Sequence, residues 1–384
     1  MVHERKRKFS KEELILLVAS SITMSRDTPA LFAQTDADKV AIKKYISRMT
    51  DSKIFRKSSY EKKLLRLTTT AVNRLQTDNP DLYEFYMTYT SNNRPGRTPR
   101  HVDAQCKAAE VNCMMYRAGI KIASEKPSLI DIEEGRSQPY LEGDAFFYLR
   151  KELIFDVEQE KQRAQTARGC GVLLSPGLTG VVYRLTTSDT IFRFASELES
   201  IQRALEVLRH ASQKKPDAPI KDALVIGNGY DSLIDLVHAK KKAHARTRGF
   251  GDLLEGRERL PVSIRYVPMG LAGVEPLRVI TEFTEDEIVQ RSFSSQEIAL
   301  AEGLRCDAVV QMESSQLKCY EFISGNLTKI VRAKNSTPEG GEVGLVCLKQ
   351  QQPFLQQLFE GVTTRFRTYD DCVLTADLFM KGGD

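Results

Sequence analysis

Three stretches near the amino terminus decide the predicted fold: Thr35-Asp-Ala-Asp-Lys-Val-Ala-Ile-Lys-Lys-Tyr-Ile-Ser-Arg-Met-Thr50, Lys53-Ile-Phe-Arg-Lys57 and Lys62-Lys-Leu-Leu-Arg-Leu67. The first predicts a helix from Asp36 to about Thr50, because Thr35 followed by Asp38 is a helix start signal. The other two are short strand candidates, and the polar turn Ser58-Ser-Tyr-Glu61 between them is typical of a β-hairpin. The sequence therefore predicts a helix followed by a basic hairpin.

The helix predicted over residues 36–50 has two unlike faces. Its apolar residues recur at the helical spacing i, i+3, i+4, i+7, which predicts packing against a preceding helix. They are Ile42, Tyr45, Ile46 and Met49. The opposite surface is nearly all cationic and carries Lys39, Lys43, Lys44, Ser47 and Arg48. An amphipathic helix with a positive polar face is a candidate for contact with a polyanion.

Other helix start signals surround these stretches. Ser10-Lys-Glu-Glu13 has the spacing of a capping box and predicts a helix that runs to about Ile22. Thr28-Pro29 predicts a short second helix, because proline is favoured in the first helical turn. A further helix is predicted from Thr68, after the hairpin. Three helices followed by a hairpin is the order of a winged helix-turn-helix domain, which we place over residues 1–77.

The positive charge of the chain is concentrated in this amino-terminal part. The 384 residues include 56 Lys and Arg against 51 Asp and Glu, a net charge of +5. Residues 1–66 alone hold 16 basic and 8 acidic side chains, so the rest of the chain is slightly acidic. This distribution favours contact with a polyanion, because neutralised phosphates release counterions. A solvated, charged terminus is the alternative that charge alone leaves open.

The winged-helix arrangement assigns roles to the cations. Its third helix enters the major groove of duplex DNA, and its wing lies along the phosphates. The residues predicted to contact the groove are Lys39, Lys43, Lys44, Ser47 and Arg48. Those predicted to contact the backbone are Lys53, Arg56, Lys57, Lys62 and Lys63. Because many small helical domains share this pattern, a head that binds protein instead of DNA is the alternative.

The same region resembles a known family. Lys44-Tyr-Ile-Ser-Arg-Met-Thr-Asp-Ser-Lys-Ile-Phe55, followed by Leu65-Arg-Leu-Thr-Thr69, resembles the winged-helix start of the replication-relaxation proteins of bacterial plasmids and conjugative elements. The resemblance covers about the first fifth of the chain, and generic transcriptional regulators share this type of motif. It implies a helical connector and a nuclease-like α/β domain behind the wing. It also implies a role in the replication, transfer or transcription regulation of a mobile genetic element.

Residues 78–125 are predicted to form a helical connector. Its first half holds four aromatic residues at helical spacing, Tyr83, Phe85, Tyr86 and Tyr89. That spacing, without interleaved positive charge, favours core or dimer contacts over a platform for base stacking. A loop with two prolines and a glycine follows up to Arg100, and a second helix is predicted from about Val102 to Ala118.

The body is predicted to repeat one order of elements, ββαβαβ, in residues 126–270 and 271–384. The first hairpins of the two units begin at Gly171 and Ala308, an offset of 137 positions. Alternating strands and helices predict a mixed sheet covered by helices. The fold class is therefore α/β, mixed α+β, with a winged helix-turn-helix head and a tandem-duplicated body for dimerisation or partner docking. Because the copies share little identity, chance resemblance of two α/β segments is the alternative.

The order of elements in the body is also that of restriction-nuclease-like folds. Such nucleases hold Mg²⁺ with acidic residues, one of them two positions before a lysine. From Lys107 onward no lysine has an Asp or Glu two positions earlier, so a nuclease-like body is predicted to be degenerate. The sequence also lacks a Gly-Lys dipeptide and the HExxH and GxSxG motifs. Gly227-Asn-Gly229 is interpreted as a tight turn, with a phosphate-binding turn as the alternative.

The sequence as a whole predicts a cytoplasmic, non-catalytic DNA-binding protein with no metal and no cofactor. Seven cysteines without a CxxC pair favour a reducing compartment. No apolar run reaches the roughly 18 residues of a membrane span, so no membrane contact is predicted. The predicted partners are double-stranded DNA, a second copy of the chain, and replication or transfer proteins.

Two other functions stay open at this point. One is a metal-dependent nuclease with a divergent site, for which Asp144, Glu152 and Asp156 are the nearest acids to the start of the body. The other is a scaffold of a transfer or replication complex whose head binds protein. The basic stretch 240–251 is equally compatible with a nucleic-acid contact and with a solvated loop.

Overall fold

The computed structural model describes ten stretches of the chain, together with residues 197, 199 and 202. The stretches are 9–57, 64–90, 99–127, 143–153, 169–186, 191–192, 222–239, 248–255, 262–313 and 315–370. Within them lie twelve α-helices, three 3-10 helices, three sheets of three, five and four strands, and one pair of two-residue strands. The predicted mixture of α and β structure is confirmed.

The amino-terminal elements follow the predicted order. They are α1 Lys11–Ser21, β1 Met24–Ser25, a 3-10 helix Thr28–Phe32, α2 Asp36–Asp51, β2 Phe55–Lys57, β3 Leu64–Leu67 and α3 Thr69–Asp78. β2 and β3 are antiparallel, and β1, which the sequence did not predict, pairs with the other edge of β3. The predicted helices and hairpin strands are confirmed, while the turn over residues 58–61 lies outside the described residues.

The helices begin at the side chains that predicted them. Ser10 Oγ accepts a hydrogen bond from the Glu13 amide at 3.1 Å, and Glu13 Oε2 accepts one from the Ser10 amide at 2.7 Å. At the start of α2, Thr35 Oγ1 accepts from the Asp38 amide at 3.1 Å. Each bond satisfies an amide that has no partner inside its helix, and such a cap typically contributes about 1 kcal/mol.

Two helices connect the head to the body. They are α4 Pro80–Thr90 and α5 Pro99–Arg117. The buried Asn112 of α5 donates through Nδ2 to the hydroxyl groups of Ser20 at 2.7 Å and Ser21 at 3.0 Å, both on α1. Tyr116 OH donates to Glu13 Oε1 at 3.1 Å. The head is therefore fixed to the connector through its first helix.

The first sheet of the body has five strands in the order β10-β8-β6-β5-β4. The elements here are β4 Phe146–Leu149, a 3-10 helix Arg150–Leu153, β5 Gly169–Leu174, β6 Thr179–Arg184, β7 Ile191–Phe192, β8 Asp222–Gly227, α6 Leu233–His238, β9 Arg248–Gly249, α7 Phe250–Glu255 and β10 Ser263–Pro268. β5 and β6 are antiparallel, whereas β6, β8 and β10 are parallel. The short strands β7 and β9 pair with each other.

The second sheet has four strands in the order β11-β12-β13-β14. The elements are α8 Leu271–Glu282, α9 Glu285–Ser292, α10 Ser295–Ala299, β11 Ala308–Gln311, β12 Gln316–Glu321, α11 Leu327–Ser336, β13 Glu342–Leu348, a 3-10 helix Lys349–Gln351, α12 Gln352–Leu358 and β14 Thr363–Tyr369. Its first pair is antiparallel and the next two are parallel, the same senses as in β5-β6-β8-β10. The predicted tandem ββαβαβ order would give this agreement, but residues 193–221 of the first unit, apart from 197, 199 and 202, lie outside the described residues, so the duplication stays a prediction. Strand β4 and helices α8 to α10 were not predicted.

Two clusters of buried side chains form the core. One runs from Leu14 in the head through Met114 on α5 to Val182 in the first sheet, so the head and the body share a continuous core. The other contains residues of both body sheets, among them Val225 on β8 and Leu345 on β13. Among the helices that the structure describes, none combines the length and the apolar composition that a bilayer crossing requires.

Candidate nucleic-acid interface

The exposed face of α2 borders a shallow, open groove. The residues that line it are Arg26, Val40, Lys43, Lys44, Ser47 and Arg48. Four of these six residues carry a positive charge. The structure thus brings together four of the five residues that the sequence assigned to the cationic face of this helix. The fifth, Lys39, is exposed but does not line the groove.

Helix α2 presents this face because its apolar face is held in the core. Ile46 is completely buried, and Ile42 and Met49 are 6% and 3% exposed. Tyr45, the remaining residue of the predicted apolar face, is partly buried. Residues three and four apart lie on one side of a helix, so burying this stripe turns the side chain of Lys43 and its neighbours outward.

Two residues that precede the 3-10 helix reach across to α2. Arg26 Nη2 donates to Ser47 Oγ at 2.8 Å, and Ser47 Oγ donates to the carbonyl of Lys43 at 3.0 Å. Asp27 Oδ1 and Lys43 Nζ form an ion pair at 3.0 Å. Arg26 is a groove cation that the sequence did not predict. The sequence feature that could have indicated Arg26 is its position in the basic amino-terminal part of the chain.

Two of the predicted DNA contacts have local structural partners. Lys39 forms an ion pair with Asp36 at 2.9 Å in the first turn of α2, outside the groove. Lys53 has a φ of 56°, the left-handed region that side chains other than glycine rarely adopt. Its carbonyl accepts from Thr68 Oγ1 at 2.5 Å, which ties the turn after α2 to the start of α3. The exposed side chain of Lys53 therefore extends from a constrained turn.

Two of the predicted backbone contacts, Arg56 and Lys57, are neighbours on β2. Successive residues of a strand point to opposite faces, so Arg56 and Lys57 diverge. Arg56 lies opposite Arg66 of β3, and this face is near Tyr86 of α4, where burial lowers the pKa of Arg66. The Arg56 and Lys57 side chains are both exposed, and their contact with the DNA backbone stays a prediction. Lys62 and Lys63 lie outside the described residues.

A second group of charges lies where the head, the connector and the body meet. We call Lys126, Lys151 and Glu152 the junction cluster. Lys126 Nζ pairs with Glu152 Oε2 at 2.6 Å, and both side chains are buried. Lys151 Nζ donates to the carbonyl of Ser20, in the last turn of α1, at 2.7 Å. Both ammonium groups lie 5.5 Å from the ring centroid of Phe85 on α4. The cluster thereby ties α1, α4 and the body together.

The stability of the protein should rise as the pH increases from 7 to 9. Burial lowers the pKa of Lys151 from 10.5 to about 7, and burial also lowers the pKa of Lys126. A lysine whose pKa is depressed by folding is more often neutral in the folded state, so the unfolded chain binds more protons in this window. Stability then increases with pH until the unfolded pKa is reached.

Urea unfolding at pH 7, 8 and 9 measures this rise. Lys151→Met removes one of these two lysines and should make the rise in stability with pH smaller. A wild-type midpoint that stays constant or falls over the same range contradicts the expectation.

A third charged group joins the two units of the body. Lys329 Nζ on α11 contacts Glu285 Oε1 at 2.7 Å, Asp307 Oδ2 at 2.9 Å and Glu321 Oε1 at 2.6 Å. Arg265 of the first sheet also contacts Glu285, at 3.6 Å. We call these five residues the Lys329 network. Its charges are mostly buried and serve as counterions to one another, which is the arrangement of a structural ion cluster.

The acids considered for a nuclease are bound by lysines of the chain itself. Asp144 pairs with Lys121, and Glu152 pairs with Lys126. Asp156 lies outside the described residues. In the stretches that the structure describes, no three His, Cys, Asp or Glu side chains are grouped so that they could hold a metal ion.

The turn over Gly227 to Gly229 is closed by a neighbouring aromatic ring. Tyr266 OH donates to the carbonyl of Gly229 at 2.7 Å. A Cβ atom at Gly227 would lie 2.2 Å from the Tyr266 hydroxyl oxygen, so glycine is required there for close approach. Arg184 Nη2 donates to Asn228 Oδ1 at 2.9 Å. These contacts favour the interpretation of a tight turn over a phosphate-binding turn.

Among these features, the groove on α2 is the one that combines positive charge with exposure to solvent. The charges of the junction cluster and of the Lys329 network are bound to partners inside the protein. The groove is therefore the candidate functional site. No protein-family model, no curated protein and no solved structure matches this chain.

Proposed function

We propose that the protein binds duplex DNA through the groove on α2, and that the head, residues 1–77, is a winged helix-turn-helix domain. The observation that carries the proposal is the groove itself, in which four cations surround one exposed face of a 16-residue helix. The major groove of B-DNA is about 12 Å wide and admits an α-helix of this kind. The sheet order β1-β3-β2 beside three helical segments supports the winged-helix assignment.

The groove offers the side chains that base edges and phosphates require. Arg26 and Arg48 carry the planar forks that bind guanine O6 and N7, or phosphate, with two hydrogen bonds. Val40 is 52% exposed in the midst of these charges and is suited to an apolar contact with a thymine methyl group. Lys43 and Lys44 are suited to phosphate oxygens.

The biological role we propose is that of a non-catalytic DNA-binding protein of a mobile genetic element, in replication, transfer or transcription regulation. The support for such an element is the resemblance of residues 44–55 and 65–69 to replication-relaxation proteins. The absence of catalysis is proposed because Asp144 and Glu152 are already bound by lysines. The α/β body would then serve dimerisation or partner docking.

The double variant Lys43→Ala, Arg48→Ala should weaken duplex binding by a few kcal/mol. Each lost base contact costs about 1–3 kcal/mol, and each lost phosphate contact lowers the salt dependence of binding by about one unit of slope. Gel-shift titrations at several salt concentrations measure both quantities. Both side chains are exposed, so the fold should be unaffected.

A matched control separates the groove from general charge. Arg305 and Lys318 are exposed cations of the second unit, and Arg305→Ala with Lys318→Ala removes the same charge. That variant should bind DNA as the wild type does. If the groove variant binds duplex DNA as tightly as the wild type does, the groove on α2 is not the DNA-binding site. A wild-type protein that binds no duplex at moderate salt would favour a head that binds protein.

A further inference from the structure

An acidic side chain stands beside the otherwise cationic groove. Asp27 follows Arg26, and its carboxylate lies 3.0 Å from the Lys43 ammonium group. The two side chains are 56% and 53% exposed, so both are open to a bound ligand. A negative charge at a surface that binds phosphates lowers affinity for every DNA sequence. An acidic residue at this position is therefore expected to have a function that compensates for the lost DNA affinity.

The stability of the fold does not explain why an acidic residue is present at position 27. Asp27 occupies the N-cap position of the 3-10 helix over residues 28–32, where an Asp side chain usually accepts a hydrogen bond from a first-turn amide. Here the side chain makes no capping bond and is directed toward Lys43 on α2 instead. The resulting ion pair is exposed, and such pairs contribute about 0–1 kcal/mol. The carboxylate therefore adds little to stability.

We infer that Asp27, which lies beside the groove and pairs with its lining residue Lys43, determines specificity by accepting a hydrogen bond from the exocyclic amino group of a cytosine. The inference rests on the proposed binding of DNA. An ionised carboxylate can only accept hydrogen bonds, so it favours the cytosine N4 donor and disfavours thymine O4 and guanine O6, which are acceptors. A repulsive element of this kind raises discrimination at the expense of affinity.

Positively charged neighbours of Asp27 reduce the repulsion between its carboxylate and the phosphates of DNA. Arg26 precedes it in the chain and Lys43 pairs with it, and both contribute positive charge that offsets its repulsion from the DNA backbone. Arg26 is itself held by Ser47 at 2.8 Å, so the segment that carries Asp27 is tied to α2 by a second contact. The carboxylate is thus presented at the groove by two independent side-chain contacts between this segment and the helix.

Site selection from a random duplex library tests the inference with wild type and Asp27→Asn. The wild type should select a cytosine at one position of its site, where changing C to T weakens binding about ten-fold. Asparagine keeps the shape of the side chain but also offers a donor that suits thymine O4 or guanine O6. In Asp27→Asn that factor should fall to about two, and random-sequence duplex should bind several-fold more tightly.

Asp36→Asn is the matched control. Asp36 forms a similar exposed ion pair with Lys39 at 2.9 Å, but neither of these two residues lines the groove, whereas Lys43, the partner of Asp27, does. This variant loses the same charge and should keep the cytosine preference. Thermal melting of both variants should match that of the wild type, because neither carboxylate is buried.

Three outcomes overturn the inference. The first is a cytosine preference that survives in Asp27→Asn, the second is a preference that Asp36→Asn loses to the same extent, and the third is selection of adenine at that position. In each of these the wild type still binds duplex DNA, so the proposed function stands. Failure of the wild type to bind any duplex would instead overturn the proposed function, and the inference with it.

Discussion

Lys329→Met should destabilise the protein by about 3–5 kcal/mol at pH 7, because it leaves three carboxylates facing one another without their shared cation. Glu321 is completely buried, and its Oε1 lies 2.6 Å from the Lys329 ammonium group. Glu285 and Asp307 contact the same ammonium at 2.7 and 2.9 Å. Methionine is similar in volume to the lysine stem, so the loss reports charge rather than a cavity.

The cost of Lys329→Met should become smaller as the pH falls. Burial already raises the pKa of Glu321. Burial also raises that of Glu285, but the charges of Lys329 and Arg265 outweigh this effect and hold its pKa below the usual value. Without Lys329, the folded-state pKa values of these carboxyls rise above the unfolded values. Such groups contribute stability that is present at low pH and lost as pH rises through the folded pKa.

Urea unfolding at pH 5 and pH 7 measures this change, and the gap between variant and wild type should be smaller at pH 5. The matched control is Lys334→Met on the same helix, whose ammonium donates to the carbonyl of Glu360 at the surface. We expect that control to cost less than about 1 kcal/mol at either pH. A Lys329→Met variant as stable as the control, or a loss that does not change with pH, contradicts this account.

The elements of the head were predictable because their signals are local. At Ser10, Thr35 and Thr68, the capping side chain and the amide it accepts from are three residues apart. The apolar stripe of α2 repeats within one helix in the same way. Such interactions join residues that are close together in the chain, so a single sequence is enough to predict them.

The groove was only partly predictable because it also depends on tertiary packing. Arg26 and Asp27 reach α2 across 21 and 16 positions of the chain, and no periodic pattern records that contact. The divergence of Arg56 and Lys57, by contrast, follows from the two-residue period of a strand and was readable from the sequence.

In the body, one helix was not predicted because its local sequence favours a turn. Helix α8 was not predicted, and it contains Gly273 and Pro276, which in a sequence are typical of turns. In the structure Gly273 is required, because a Cβ there would lie 1.8 Å from the carbonyl oxygen of Pro268. Close packing of the helix start against β10 therefore outweighs the low helix propensity of glycine.

Glu152→Gln should destabilise the protein by about 3 kcal/mol at pH 7, because the buried ammonium of Lys126 loses its counterion. The carboxylate accepts from Lys126 at 2.6 Å through Oε2 and from the Leu149 amide at 2.8 Å through Oε1. Glutamine can still accept from that amide, so the variant removes charge and keeps the backbone bond. Glu125→Gln, at an exposed neighbouring position, is the control and should cost less than about 0.5 kcal/mol.

A double-mutant cycle with Lys126→Met distinguishes loss of a charge pair from loss of packing. If the cost of Glu152→Gln arises from the unpaired ammonium of Lys126, removing that ammonium as well should restore part of the stability. Lys126 also donates to the carbonyls of Phe147 at 2.6 Å and Ile122 at 3.1 Å, so the recovery should be incomplete. Urea unfolding of the four proteins gives the coupling energy. A double variant as unstable as the sum of the single ones would show that the two side chains stabilise the junction independently.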